Sequence, residues 1–185
     1  MTAVIVSEAY ELVVIVTVSQ NAVSTIGSDI QLMTGEEISV DALLKALLVQ
    51  SGNDAAVALA EHMGFDTFVK RMNTKAAELG LTDTEFRDPA GLDDGGRSSA
   101  RDLGVLAAYA LRNEVIRGVV RITEATIESA NLRYAHKLET SNRLLKADHP
   151  LFMAEATGLK TGYTPDAGHC LVASAERDGH QIVTV

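Results

Sequence analysis

Between Val40 and Leu79 the apolar residues recur at helical spacing, and only two short breaks interrupt them. Leu43, Leu44, Leu47 and Leu48 stripe the segment Val40–Val49, and Asp41 near its start complements the helix dipole. Ser51-Gly52-Asn53 then breaks the pattern. Asp54–Met63 reads as a second, alanine-rich helix stopped by Gly64, and Phe65–Leu79 as a third stopped by Gly80. In the third, Phe65, Phe68, Val69, Met72, Ala76 and Leu79 share one face. The end of the chain carries the opposite pattern. Leu159–Tyr163 follows Gly158 as an extended segment, His169–Ala175 reads as a strand, Asp178-Gly179 as a hairpin turn, and Gln181–Val185 as the returning strand. Helices in the middle and an antiparallel sheet near the end predict an α+β fold.

The remaining segments fit around these. Residues 2–9 read as the end of a helix, Val13–Val18 as a β-branched strand, and Gly27–Gly35 as a loop. Asp88-Pro89-Ala90-Gly91 is turn chemistry. Ser99-Ala100-Arg101-Asp102 is a capping-box pattern that opens a helix to about Leu111. Residues 120–139 alternate like a hairpin around Ala130-Asn131, and Asn142–Lys146 reads as a short helix. With no repeat, low-complexity tract or Pro/Gly linker, residues 1–185 are expected to form a single domain. The last strand runs to the chain terminus, so that domain is expected to continue beyond it.

Composition narrows the function classes. Aromatic residues make up 4% of the chain and Trp is absent, so the core must be built from Leu, Val, Ile, Ala and Met. The formal net charge of -9 argues against a nucleic-acid partner, which calls for a basic face. Cys170 is the sole cysteine, so no internal disulfide forms, and its apolar strand context predicts a buried packing role. The five histidines (His62, His136, His149, His169, His180) lack metal-ligand spacing, so neither metal nor cofactor is expected. No apolar run is long enough to cross a bilayer, and the first residues lack the marks of a signal peptide.

Two short motifs carry chemistry: Ser51-Gly52-Asn53 between two helices, and Lys160-Thr161-Gly162 at the start of a strand. Read separately, Ser51 or Asn53 would be an ordinary helix cap, and Lys160-Thr161-Gly162 lacks the glycines of a phosphate loop. Read together and in this order, they match the second and third motifs of the S-x-x-K, S-D-N, K-T-G set of penicillin-binding proteins and class A β-lactamases, with Gly at the middle of the second. The surrounding sequence resembles the serine D-alanyl-D-alanine carboxypeptidases over nearly its whole length. The resembling blocks are Leu43 to Ala56, Met72-Asn73, Glu78 to Leu81, Asp88 to Leu92 (with Asp88 for the usual Asn), Ser98 to Leu103, Ser141 to Leu145 and Gly158 to Gly168.

That resemblance implies a β-lactamase/DD-peptidase-like fold, an antiparallel sheet flanked by helices plus an all-helical lobe. It implies acyl transfer on peptidoglycan stem peptides ending in D-Ala-D-Ala, inhibition by β-lactams, and an extracytoplasmic location. By the same resemblance Ser51 would relay a proton to the leaving amine, and Asn53 would bond the substrate amide. Lys160 would supply fixed positive charge and Thr161 would bond the terminal carboxylate. Gly162 would leave room for the substrate strand, and the Tyr163 N–H would form half of an oxyanion hole. One departure stands out: no Ser is followed three residues later by Lys. The motif would align about five residues before Met1, so the chain is expected to be truncated at both ends and inactive as it stands, with any membrane association lying in segments outside it. Two other readings remain open. A β-lactamase-like hydrolase would need a deacylating Glu, for which Glu124, Glu128 and Glu139 lack the sequence context; a non-catalytic protein could have kept the cleft and lost the nucleophile.

Overall fold

A computed structural model describes residues 1–185. The three central helices form where the apolar periodicity puts them, with one difference. The first is α-helical only over Val40–Lys45, here α3, and its last turn, Ala46–Gln50, widens into a π-helix. It is capped at the start by Ser39, whose hydroxyl accepts from Ala42 N, and Lys45 pairs with Asp41 one turn back at 2.6 Å. Next come α4 (Asn53–Met63) and α5 (Phe65–Glu78), turned by Gly64 at φ +94°. Before them lie α1 (Thr2–Ala9), β1 (Ile15–Thr17), α2 (Gln20–Val23) and β2 (Glu37–Ser39). The strand expected over Val13–Val18 is shortened to β1, because its only partner is the three-residue β2, in the register Ile15↔Ser39 to Thr17↔Glu37.

Ser99 caps α6 (Ala100–Ala110) by accepting from Asp102 N, as the capping box anticipates. A helix absent from the sequence reading, α7 (Glu114–Val119), follows at once, capped by Asn113 Oδ1 on Ile116 N. The expected hairpin is β3 (Glu124–Glu128) paired with β4 (Ala135–Glu139). The short helix is a 3-10 turn, Arg143–Leu145. The chain ends in a three-stranded antiparallel sheet of β5 (Ala156–Thr164), β6 (Gly168–Arg177) and β7 (His180–Thr184), in the order β5-β6-β7. β5 therefore has one free edge.

The core is a single cluster of 36 buried apolar side chains in which Phe68 is the only aromatic. It joins all seven helices and the π turn, with a single side chain from each of β1 to β5. No helix is long and apolar enough to cross a membrane. Burying apolar surface stabilises at about 25 cal/mol per Å², and most of the buried side chains belong to the helices. One prediction fails here. Cys170 is exposed rather than buried. Its cross-strand partner in the β5–β6 ladder is Gly162, which has no side chain to cover it.

Candidate active site

The π turn decides where Ser51 sits. Widening the last helical turn directs the Gly52 N–H onto Ala46 O at 3.0 Å, and Ser51 closes the helix in the left-handed region, at φ 68° and ψ 32°. Such a conformation costs a non-glycine residue on the order of 1 kcal/mol and is held only by its surroundings. The next residue has to be Gly52 for a steric reason. A Cβ there would lie 2.9 Å from Asp54 Oδ1 and 3.4 Å from Ile30 Cγ2. The close approach is thus between parts of the protein itself.

Neither Ser51 nor Asn53 is the N-cap of α4, contrary to the plain reading of each motif residue alone; Gly52 takes that place. Asn53 is the first residue of α4, and its side chain reaches sideways, donating from Nδ2 to Ile26 O at 2.8 Å while its backbone N–H donates to Ser28 O at 2.7 Å. With the amide nitrogen so engaged, Oδ1 is the half of the side chain free to accept from a ligand. Gly27 beside it has no room for a side chain, since a Cβ would sit 2.7 Å from Asn53 Nδ2.

The loop that receives these bonds, Ile26 to Glu36, is itself clamped. Asp54, 1% exposed, accepts from Ile30 N and Leu32 N at 3.1 and 3.2 Å. Burial raises its pKa, and the N–H groups of Leu32, Ile30 and Ala55 pull it the other way. Gln50 Nε2 donates to Asp29 O at 2.8 Å. His136 on β4 bridges Ile30 O and the buried Glu36 carboxylate, at 2.9 and 2.8 Å from its two ring nitrogens. The sequence offered no sign of this clamp, because His136 and Glu36 are 100 residues apart.

Across the cleft, β5 carries the second motif. Gly158, at φ +138°, lies so close to the end of α7 that a Cβ would be 2.9 Å from Val120 Cβ and Cγ2. Lys160 Nζ donates to Ser51 Oγ and to Thr161 O. No carboxylate pairs with it, and burial pulls its pKa from 10.5 down to about 8. The charge expected to be fixed is therefore titratable just above neutral pH. Thr161 Oγ1 lies 2.7 Å from Ser141 Oγ. Gly162 and Tyr163 are exposed on the free edge of β5, and the Tyr163 ring stacks obliquely on His169 at 4.7 Å between centroids.

Ser51, Asn53, Lys160, Thr161, Gly162 and Tyr163 all line one cavity of about 1120 Å³. The two motifs, 109 residues apart at the Lys160–Ser51 contact, form one site. Ser141 also lines it and was given no role from the sequence, where it only begins the family-like block Ser141 to Leu145. Asn142 is indeed that cap, accepting from Leu144 N at 3.1 Å. Chemically, the site joins a hydroxyl held by a lysine, an amide oxygen, a hydroxyl pair and an open strand edge. These groups suit binding an extended peptide and moving a proton along it.

The chain is similar to several known proteins. Over 170 residues the chain is 40% identical to the D-alanyl-D-alanine carboxypeptidase DacF of Bacillus subtilis, covering 90% of this chain and 42% of DacF. It is 36% identical to DacC of Escherichia coli over 157 residues, covering 83% of this chain and 37% of that protein. The chain thus spans less than half the length of these relatives. The crystal structure of the Streptomyces K15 DD-transpeptidase superposes with a TM-score of 0.87 at 29% identity, covering 99% of this chain and 77% of that one. The D-alanyl-D-alanine carboxypeptidase of Mycobacterium tuberculosis does so with a TM-score of 0.87 at 32% identity, covering 98% and 68%. Residues 1–185 match the D-alanyl-D-alanine carboxypeptidase family, peptidase S11, from end to end, and the chain belongs to that family.

Proposed function

We propose that this chain forms the peptide-binding and proton-relay part of a serine D-alanyl-D-alanine carboxypeptidase site. Its substrate is a peptidoglycan stem peptide ending in D-Ala-D-Ala, met on the outer side of the cytoplasmic membrane, and β-lactams occupy the same cleft as inhibitors. The observation that carries this reading is the hydrogen bond from Lys160 Nζ to Ser51 Oγ inside a cleft open along β5.

In this reading the peptide adds as a strand to the free edge of β5. Its terminal carboxylate meets Lys160 and the Thr161 hydroxyl, where a charge-assisted hydrogen bond is about twice as strong as a neutral one. Asn53 Oδ1 accepts from the substrate amide. Ser51, held by Lys160, passes a proton toward the leaving amine: its Oγ can take a proton on one lone pair and release its own on the other side. A lysine with a pKa of about 8 suits that relay, because it can give up and regain a proton near neutral pH. The Tyr163 N–H serves as one donor to the oxyanion. The nucleophile role falls to no residue of this chain, which contains no Ser-x-x-Lys.

The test is substitution in a complete enzyme that carries Ser-x-x-Lys ahead of this segment. Ser51→Ala and Lys160→Ala are each expected to slow acylation by a labelled penicillin at least 100-fold, the size of a lost general acid–base group. Acylation at the parent rate would refute the roles given to them. The β-lactamase-like reading finds no support in the cleft. Glu124, Glu128 and Glu139 are absent from its lining, and Glu85, the glutamate that does line it, is held by Arg87 and Arg97.

A further inference from the structure

The hydroxyls of Ser141 and Thr161 lie 2.7 Å apart on the cleft wall, and the roles above use only the second. Ser141 is mounted with care. Its N–H donates to Val49 O at 3.2 Å, in the π turn that ends at Ser51. The next residue, Asn142, is 4% exposed and donates its N–H to Thr140 Oγ1 at 3.2 Å. Ser141 therefore spans the two walls of the cleft, with its backbone tied to the helical wall and its side chain to β5.

A hydroxyl has one proton to give and two lone pairs to offer. Between two adjacent hydroxyls, one donates and the other accepts. A carboxylate is acceptor-only, so Thr161 can bond it only with its own proton. That leaves the Ser141–Thr161 contact to be made by the proton of Ser141. We infer that Ser141 is a positioning residue for carboxylate recognition: it donates to Thr161 Oγ1 and so commits the Thr161 proton to the terminal carboxylate of the bound peptide. The two bonds point the same way, so each polarises the other. This inference rests on the functional reading above. Ser141 acts through Thr161, so its removal is felt only while the Thr161 hydroxyl is present.

The experiment uses the 185-residue chain and measures non-covalent affinity by NMR titration. The probes are an N-acetylated peptide ending in D-Ala-D-Ala and the same peptide ending in a C-terminal amide. The parent chain is expected to prefer the free acid. Ser141→Ala should weaken free-acid binding about 3- to 10-fold, the range for one hydrogen bond, and leave the amide unchanged. Ser141→Thr should restore the free-acid affinity. In a Thr161→Val background, adding Ser141→Ala should change nothing, since coupled residues are non-additive. An equal loss for acid and amide, or the same loss in the Thr161→Val background, would overturn the inference. If the parent chain itself does not prefer acid over amide, the carboxylate reading of Lys160 and Thr161 fails first, and the role of Ser141 falls with it.

Discussion

The two walls of the cleft are held by different means. The helical wall is rooted in the core: Leu43, Leu44, Ala46, Leu59 and Ala60 are fully buried around the Ser51 turn. The sheet wall contributes only Leu159 to the 36-residue apolar cluster. A few specific ties fix it instead, namely Gly158 against Val120 and Arg121 to Glu176 at 2.7 Å, while the buried Thr157–Ser174 hydroxyl pair joins β5 to β6. The division matches the work each wall does. The strained Ser51 needs a firm mount to hold its φ, and in the proposed function β5 keeps one edge open for the peptide.

This contrast can be broken most directly by core truncation. Leu59→Ala should cost about 3 kcal/mol in urea unfolding, as for other buried leucines. Ile182→Ala on β7, where the side chain is 66% exposed, should cost under about 0.5 kcal/mol. Equal losses would mean that the sheet wall is as deeply anchored as the helical one. The next effect tests the ties. Gly158→Ala should cost about 2 kcal/mol by overpacking against Val120 and should displace Lys160, abolishing the preference for a free carboxylate. Val120→Ala added to it should recover little of that preference, because Val120 Cβ at 2.9 Å and Val120 O at 3.1 Å remain and φ +138° still disfavours a side chain.

Lys160 tests the relation between function and stability. Burial lowers its folded pKa from 10.5 to about 8, so below pH 8 the fold carries the cost of a buried charge. That cost fades as pH rises from about 8 to 10.5, because the folded chain loses the proton while the unfolded chain still holds it. Lys160→Met should therefore stabilise the chain by about 1 kcal/mol at pH 7, with the gain vanishing by pH 10.5, and should eliminate carboxylate binding. A Lys160→Met chain less stable than the parent at pH 7 would show that the ammonium is a structural tie. The smallest effect belongs to Cys170. Cys170→Ser should shift stability by less than about 0.5 kcal/mol, and the parent thiol should react with a maleimide without denaturant, since it is exposed.

Much of the fold was legible in the residues. Each central helix lies within a few residues of its expected bounds, because every one carries its own apolar face and its own stop, such as Gly64. The terminal hairpin was equally plain, through Asp178-Gly179. The parts that escaped are those without a local signal. β2 exists only because β1 is there to pair with it, and α7 is one and a half turns whose cap, Asn113, was the sole cue. Cys170 was misread because its exposure depends on a glycine on the neighbouring strand.

For the proposed site, the residues were named from the sequence alone: Ser51, Asn53, Lys160, Thr161, Gly162 and Tyr163, in two motifs whose order carried their meaning. Their placement and surroundings came from the folded chain. It set Ser51 at positive φ through a π turn, turned the Asn53 amide by offering it Ile26 O, lowered the Lys160 pKa by burial, and added Ser141 beside Thr161. The reason is range. Helix periodicity and turn chemistry are local and can be read along the chain, whereas desolvation, steric approach and hydrogen-bond direction depend on atoms that only folding brings together.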